Sequence, residues 1–223
     1  VNADDEDTKL SELIYRNTPE FATGHVCSVS WDQTKDVPDE LSTEWMPTFE
    51  VPATSADGSE IIIKSIHKAI SKNQISAEDL YQKDNDKVFK ALEGLISGYS
   101  EWIKHQEKNL NDLDDIYLEQ AKKNISFCQS ALERMKEGLN FLKTNTNSLH
   151  AFKLANEAMQ MQFSWKQNPE SKDKLILNWR PFQLGFFLIT LCSVSDRDHE
   201  DRDTFDLLWF PTGGGKTEAY LLS

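Results

Sequence analysis

The sequence predicts a mixed fold: a strand-containing, then helical region through residue 165, followed by the beginning of an α/β domain. Three observations lead there. His25-Val-Cys-Ser-Val-Ser-Trp31 alternates polar and apolar residues, the period of a half-buried strand. Between Ile61 and Trp165 apolar residues recur at steps of three and four, the period of helices with one buried face. Phe205-Asp-Leu-Leu-Trp-Phe210 is a short apolar and aromatic run, as expected of a fully buried parallel strand, and it leads directly into three glycines.

A chain of 223 residues holds one large domain or two ordinary ones, because a single core serves about 100–200 residues. With 39% hydrophobic and 27% charged residues it has enough apolar surface to fold. The formal charge of −13 is concentrated at the amino end: residues 1–60 carry 14 Asp and Glu against 3 Lys and Arg, leaving 23 against 21 for the remainder. Phosphate neutralisation normally demands a basic stripe, and none is visible, so any DNA partner is expected to be held mainly by parts outside this chain. Cys27, Cys128 and Cys192 are far apart and lack paired metal-ligand spacing, which argues against a zinc site or a disulfide framework. The longest apolar stretch, Leu184 to Val194, falls short of the roughly 20 residues that span a bilayer, and no basic-then-apolar leader is present. The expectation is a cytoplasmic protein without a membrane partner.

Taken in order, residues 1–60 read as an acidic, irregular and strand-rich segment. Asn2 to Asp7 form a solvated end, Thr8 to Tyr15 a short helix, and Met46-Pro-Thr-Phe-Glu-Val-Pro52 an extended piece bounded by prolines. Residues 61–165 form a helical accessory region. Tyr117, Ala121, Ile125, Cys128, Leu132, Met135, Leu139 and Leu142 line one face of a helix of about 26 residues. Val88, Leu92, Leu95, Ile96, Tyr99, Trp102 and Ile103 mark a second, with Asn109 to Asp115 as the connection of a helical hairpin. Ser148 is placed to cap a third helix through Met159. Residues 166–174, polar and containing Pro169, read as a linker. Residues 175–223 then open the α/β domain, with an apolar helix through Leu191, a charged loop from Ser195 to Asp203, and the strand before the glycines.

The chemistry concentrates in Phe210-Pro-Thr-Gly-Gly-Gly-Lys-Thr217. Consecutive glycines let backbone amides turn toward the phosphates of a nucleotide, so Thr212, Gly213, Gly214 and Gly215 read as a phosphate-binding loop. Lys216 places its ammonium on the β- and γ-phosphates, and Thr217 offers a hydroxyl to Mg²⁺; these two are the candidate catalytic residues. A helix starting near Lys216 would point its positive end the same way. Phe210 stands where the general phosphate-loop pattern has its first glycine, and Thr212-Gly-Gly-Gly-Lys-Thr217 fits the superfamily-2 helicase version better. Upstream, Trp179-Arg-Pro-Phe-Gln183 resembles the Q motif of those helicases, which adds Arg180 and Gln183 to the ATP-binding set. A glutamine amide both donates and accepts, so Gln183 can pair with the two edge groups of adenine; a helix-capping glutamine is the alternative. The cofactors expected are therefore ATP and Mg²⁺, in a RecA-like domain. Asp196-Arg-Asp-His-Glu-Asp-Arg-Asp203 reads as a solvated turn, because consecutive side chains diverge, and His25 as a structural residue.

Several stretches together resemble one family: Asn17-Thr-Pro-Glu-Phe-Ala-Thr-Gly-His25 with Trp31, Met46 to Pro52, Ala151-Phe-Lys-Leu-Ala-Asn-Glu-Ala-Met159, Trp179 to Gln183, and Leu207 to Leu221. They are similar to the superfamily-2 helicase-like subunit of the bacterial DISARM anti-phage system. The resemblance implies a DNA-dependent ATPase that works with a partner subunit in phage defence, with Gln183 on adenine and Gly213 to Thr217 on the phosphates and Mg²⁺. Family members continue well beyond the phosphate loop, with a second acidic motif, so this segment alone is expected to be inactive: hydrolysis needs a later carboxylate, and Glu218 does not stand at that position. Two other readings remain at this point. One is a scaffold or regulatory protein with a vestigial phosphate loop, and the other is a P-loop ATPase that remodels protein.

Overall fold

The computed structural model describes residues 5–17, 21–22, 24–32, 34–45, 75–166, 174–208 and 215–222. The chain divides into two compact units, Val1–Ser55 with Asp114–Ala121, and Ala56–Leu113 with Lys122–Ser223.

In the first unit, helix α1 (Glu6–Tyr15) starts with Glu6 and Asp7, acids that favour the positive end of a helix, and buries Leu13. Arg16 Nη1 donates to Leu13 O at 2.7 Å and so satisfies a carbonyl left open at the helix end. Strands β1 (Ser28–Trp31) and β2 (Leu41–Glu44) form an antiparallel hairpin, in register from Ser28 opposite Glu44 to Trp31 opposite Leu41. The two serine hydroxyls of Ser30 and Ser42 meet across it at 2.9 Å, and Phe21 packs edge-on to Trp31. Just past β1, Asp32 accepts from Thr34 Oγ1 and N, which holds its carboxyl below the usual range. The strand expected within His25–Trp31 is thus present, whereas Met46 to Pro52 lie outside the described residues.

The second unit is helical. Its elements are α2 (Ala77–Gln82), α3 (Asn85–Asn109), a 3₁₀ turn (Leu110–Asp112), α4 (Asp115–Thr144, whose first residues belong to the first unit), α5 (Thr146–Ser164), α6 (Pro181–Ser195), a second 3₁₀ turn (Glu200–Asp203) and α7 (Lys216–Leu222). Short polar side chains begin several of them: Ser76 Oγ accepts from Asp79 N, and Asp84 Oδ1 from Lys87 N. For α5 the cap is Asn145, whose Oδ1 accepts from Ser148 N at 3.0 Å; the expected capping residue, Ser148, is instead the one being capped. The apolar stripes meet where the sequence period places them, with Val88, Leu92, Leu142, Leu184 and Leu188 at most 1% exposed. Phe152 of α5 and Phe187 of α6 stack at 4.7 Å between centroids. Helices α4 and α6 approach so closely at Gly138 that a β-carbon there would sit 2.0 Å from Leu188 O.

The α/β expectation is not met. Phe205 to Leu208 form no strand, and Phe205 and Leu207 are 88% and 72% exposed. The sheet among the described residues is the antiparallel hairpin of the first unit, so no parallel, RecA-like arrangement opens at residue 175; the helical part of the expectation agrees. The reason is physical. A parallel strand exists through neighbours reached by crossovers of a dozen or more residues, and an apolar run records only that it wants burial, not that a partner strand is at hand. No helix among the described residues is long and apolar enough to cross a membrane.

Candidate nucleotide-binding site

The segment leading to the candidate site is held by buried polar side chains of α5. Gln160 brackets it, with Nε2 donating to Leu175 O at 2.8 Å and Oε1 accepting from Leu177 N at 2.9 Å. Asn156, fully buried, accepts from Trp179 Nε1 at 2.8 Å and donates to Phe152 O. On its other side the segment bonds to the backbone leading into α2, through Ala77 N, the first residue of that helix, to Leu177 O and Trp179 N to Ile75 O. Burying these amides is favourable only because each finds a partner, and the result is a short extended strip aimed at the start of α6.

At that start, Arg180 is extended and Pro181 occupies the first helical position, where its missing N–H costs nothing. Gln183 reaches back so that Oε1 accepts from Arg180 N at 2.8 Å. Its other amide group turns outward from the helix, and Nε2 donates to Gly215 O at 2.7 Å. One buried side chain, 4% exposed, therefore ties the beginning of α6 to the last glycine before Lys216. Gly215 has φ of 87°, left-handed backbone that disfavours any β-carbon, and a β-carbon there would lie 2.7 Å from Gln183 Nε2.

Beyond Gly215, α7 turns Ala219 and Leu222 inward, both at most 4% exposed, and sets Tyr220 edge-on to Phe186 of α6. This leaves Lys216 half-buried and the Thr217 side chain at the surface. Thr217 borders a recess of about 360 Å³ that Phe163, Trp165, Lys166 and Leu177 also line. Of the residues read from sequence, Gln183, Gly215, Lys216 and Thr217 are brought to one place and Arg180 lies beside them. Thr212, Gly213 and Gly214 are outside the described residues. His25 is exposed in the other unit.

Sequence reasoning missed a second anchor. Arg134 of α4 grips Asp206, two residues after the charged loop begins to straighten, through Nη1 to Oδ1 at 2.7 Å and Nη2 to Oδ2 at 2.8 Å. Its Nε lies 3.0 Å from Asp201 Oδ2, an ion-pair contact without an aligned hydrogen bond. The hydrogen bonds that Arg134 donates to Asp206 raise its guanidinium's pKa above the ordinary value. The charged loop is therefore not wholly solvated: Arg202 Nη1 donates to Ser193 O at 2.6 Å, and His199 Nε2 lies 3.2 Å from Glu137 Oε1. No signal in the sequence pairs Arg134 with Asp206, which stand 72 residues apart. Asn156 and Gln160 are legible only as polar residues interrupting an apolar helix face.

No protein-family model matches the chain. It is 33% identical over 226 aligned positions to the DISARM protein DrmA of Bacillus paralicheniformis, an alignment that covers 95% of the chain and 20% of that relative. The chain thus spans about one fifth of the length of the curated relative it matches. With nearly all of its residues in that alignment, the chain is DrmA-like over the stretch that it spans.

Proposed function

We propose that the chain contributes the first nucleotide-binding elements of an ATP-dependent superfamily-2 DNA helicase or translocase that acts in bacterial anti-phage defence, with ATP and Mg²⁺ as cofactors. The observation that carries this reading is the bond from Gln183 to Gly215 O, because it joins the two motifs that the sequence assigns to the same nucleotide. The likeness to a DISARM protein supports it from a separate direction.

The residues present suit such a ligand. Gly215 keeps its left-handed turn because it lacks a β-carbon, and the Gln183 amide packs against the place one would take. Lys216 would meet the phosphates and Thr217 the metal through its hydroxyl. When bound, the nucleotide supplies the reactive phosphoanhydride; what the chain does is hold it. Gln183 has a second amide hydrogen and a second lone pair beyond those already engaged, and these match N7 and N6 of adenine. Adenine binding and the position of the phosphate loop are on this reading linked through one side chain. DNA would be contacted mainly by parts outside this acidic segment, and a partner subunit of the defence complex would work with it.

The test is ATP hydrolysis by the full-length protein, with and without single-stranded and duplex DNA, beside a Lys216→Ala variant. DNA is expected to raise the rate, and the variant to lose about a hundredfold, the scale of removing one charge-stabilising group. Rates indifferent both to DNA and to the substitution would leave a vestigial loop and a scaffold role.

A further inference from the structure

We propose that Glu137, Cys192 and His199 form a binding site for a divalent transition-metal ion of zinc's preferences. The proposal is independent of the nucleotide reading. The three residues come from three elements: Glu137 from α4, Cys192 from the last turn of α6, and His199 from the charged loop. Their ligand atoms all lie within 4.8 Å of one another, with His199 Nε2 and Glu137 Oε1 at 3.2 Å. Thiolate, imidazole and carboxylate are the donors zinc takes, at bond lengths of about 2.0–2.3 Å, so a tetrahedral ion needs its donors about 3.3–3.8 Å apart. The observed spread is one small side-chain adjustment from that.

The surroundings favour a cation. Cys192 is 6% exposed, and the carboxylates of Glu137, Asp196 and Asp201 act on it together with the Arg134 guanidinium. Three carboxylates against one guanidinium leave a surplus of negative charge that a divalent ion would offset. The framework is fixed as well. Helices α4 and α6 touch backbone to backbone at Gly138, and the loop is held by Arg202 on Ser193 O and by Asp201 against Arg134.

The protons balance simply. His199 Nδ1 accepts from Asp201 N at 3.1 Å, which places the ring proton on Nε2, facing Glu137. Coordination through Nε2 moves that proton to Nδ1, which gives up the bond from Asp201 N. Cys192 loses its thiol proton, and one proton is released per ion bound. A fourth position is left to water, the arrangement of zinc sites with three protein ligands.

Cobalt(II) titration of the chelator-stripped full-length protein tests this, with each spectrum read as a difference between wild type and variant. Wild type is expected to show a sulfur-to-cobalt charge-transfer band and strong tetrahedral visible bands, both displaced by zinc. Cys192→Ser should lose the charge-transfer band. His199→Ala and Glu137→Gln should weaken cobalt binding about tenfold or more. His199 lies on the loop, so its variant keeps the test valid if Cys192→Ser fails to fold, as circular dichroism would reveal. No charge-transfer difference between wild type and His199→Ala overturns the proposal and leaves a surface ion pair beside a buried thiol.

Discussion

Gln183 divides its amide between two backbones, Arg180 N and Gly215 O, and Gly215 answers with a conformation that only glycine holds cheaply. Gly215→Ala should therefore cost about 1–2 kcal/mol from the left-handed backbone alone, with a further loss from the 2.7 Å contact to Gln183 Nε2. Urea unfolding measures the sum. In a Gln183→Ala background the contact part should vanish and the backbone part remain, and equal penalties in both backgrounds would refute the steric account. The sequence names both residues through their motifs. It does not show that they touch, because a bond between positions 32 apart depends on the path of the helix between them.

At the scale of elements, two placements are decided by close contacts. Helices α4 and α6 cross at Gly138, where a β-carbon would meet a backbone oxygen that no rotamer change can move. Gly138→Ala is expected to destabilise by about 1–3 kcal/mol, as overpacking does, and a thermal melt matching wild type would show that the helices part without cost. Arg134 binds Asp206 through two nitrogens, with the two side chains 19% and 23% exposed. Arg134→Gln should cost about 1–3 kcal/mol, and Arg134→Lys should recover only part, since a lysine cannot make the paired contact. Full recovery by lysine, measured by the same unfolding experiment, would reduce the pair to its charge. The helices themselves were legible: the stripe from Tyr117 to Leu142 lies within α4, and that from Val88 to Ile103 within α3. Their polar staples were not, because Asn156 and Gln160 have meaning only beside the strip from Leu175 to Trp179.

For the whole molecule, the net charge of −13 makes a definite prediction about nucleic acid. The chain by itself should bind duplex DNA no better than the weak, salt-sensitive level of non-specific contacts, about 10⁻⁴ M or poorer near physiological salt. Fluorescence anisotropy checks this, and micromolar binding would place a DNA surface within these residues despite their acidity. Such a result would also revise where the proposed motor grips its substrate.

Composition and periodicity determined the acidic amino end and the amphipathic helices, because each of these is a property of neighbouring residues along the chain. The fold class after residue 175 was not determined in that way. An apolar run ahead of glycines predicts a buried strand, yet Phe205 and Leu207 stand exposed, and among the described residues no strand pairs with them. Tertiary structure alone decided that Asp206 is held by Arg134, that Gln183 holds Gly215, and that Glu137, Cys192 and His199 converge. Pairing, coordination and long-range salt bridges depend on which distant segments packing brings together, and spacing in sequence carries no record of that.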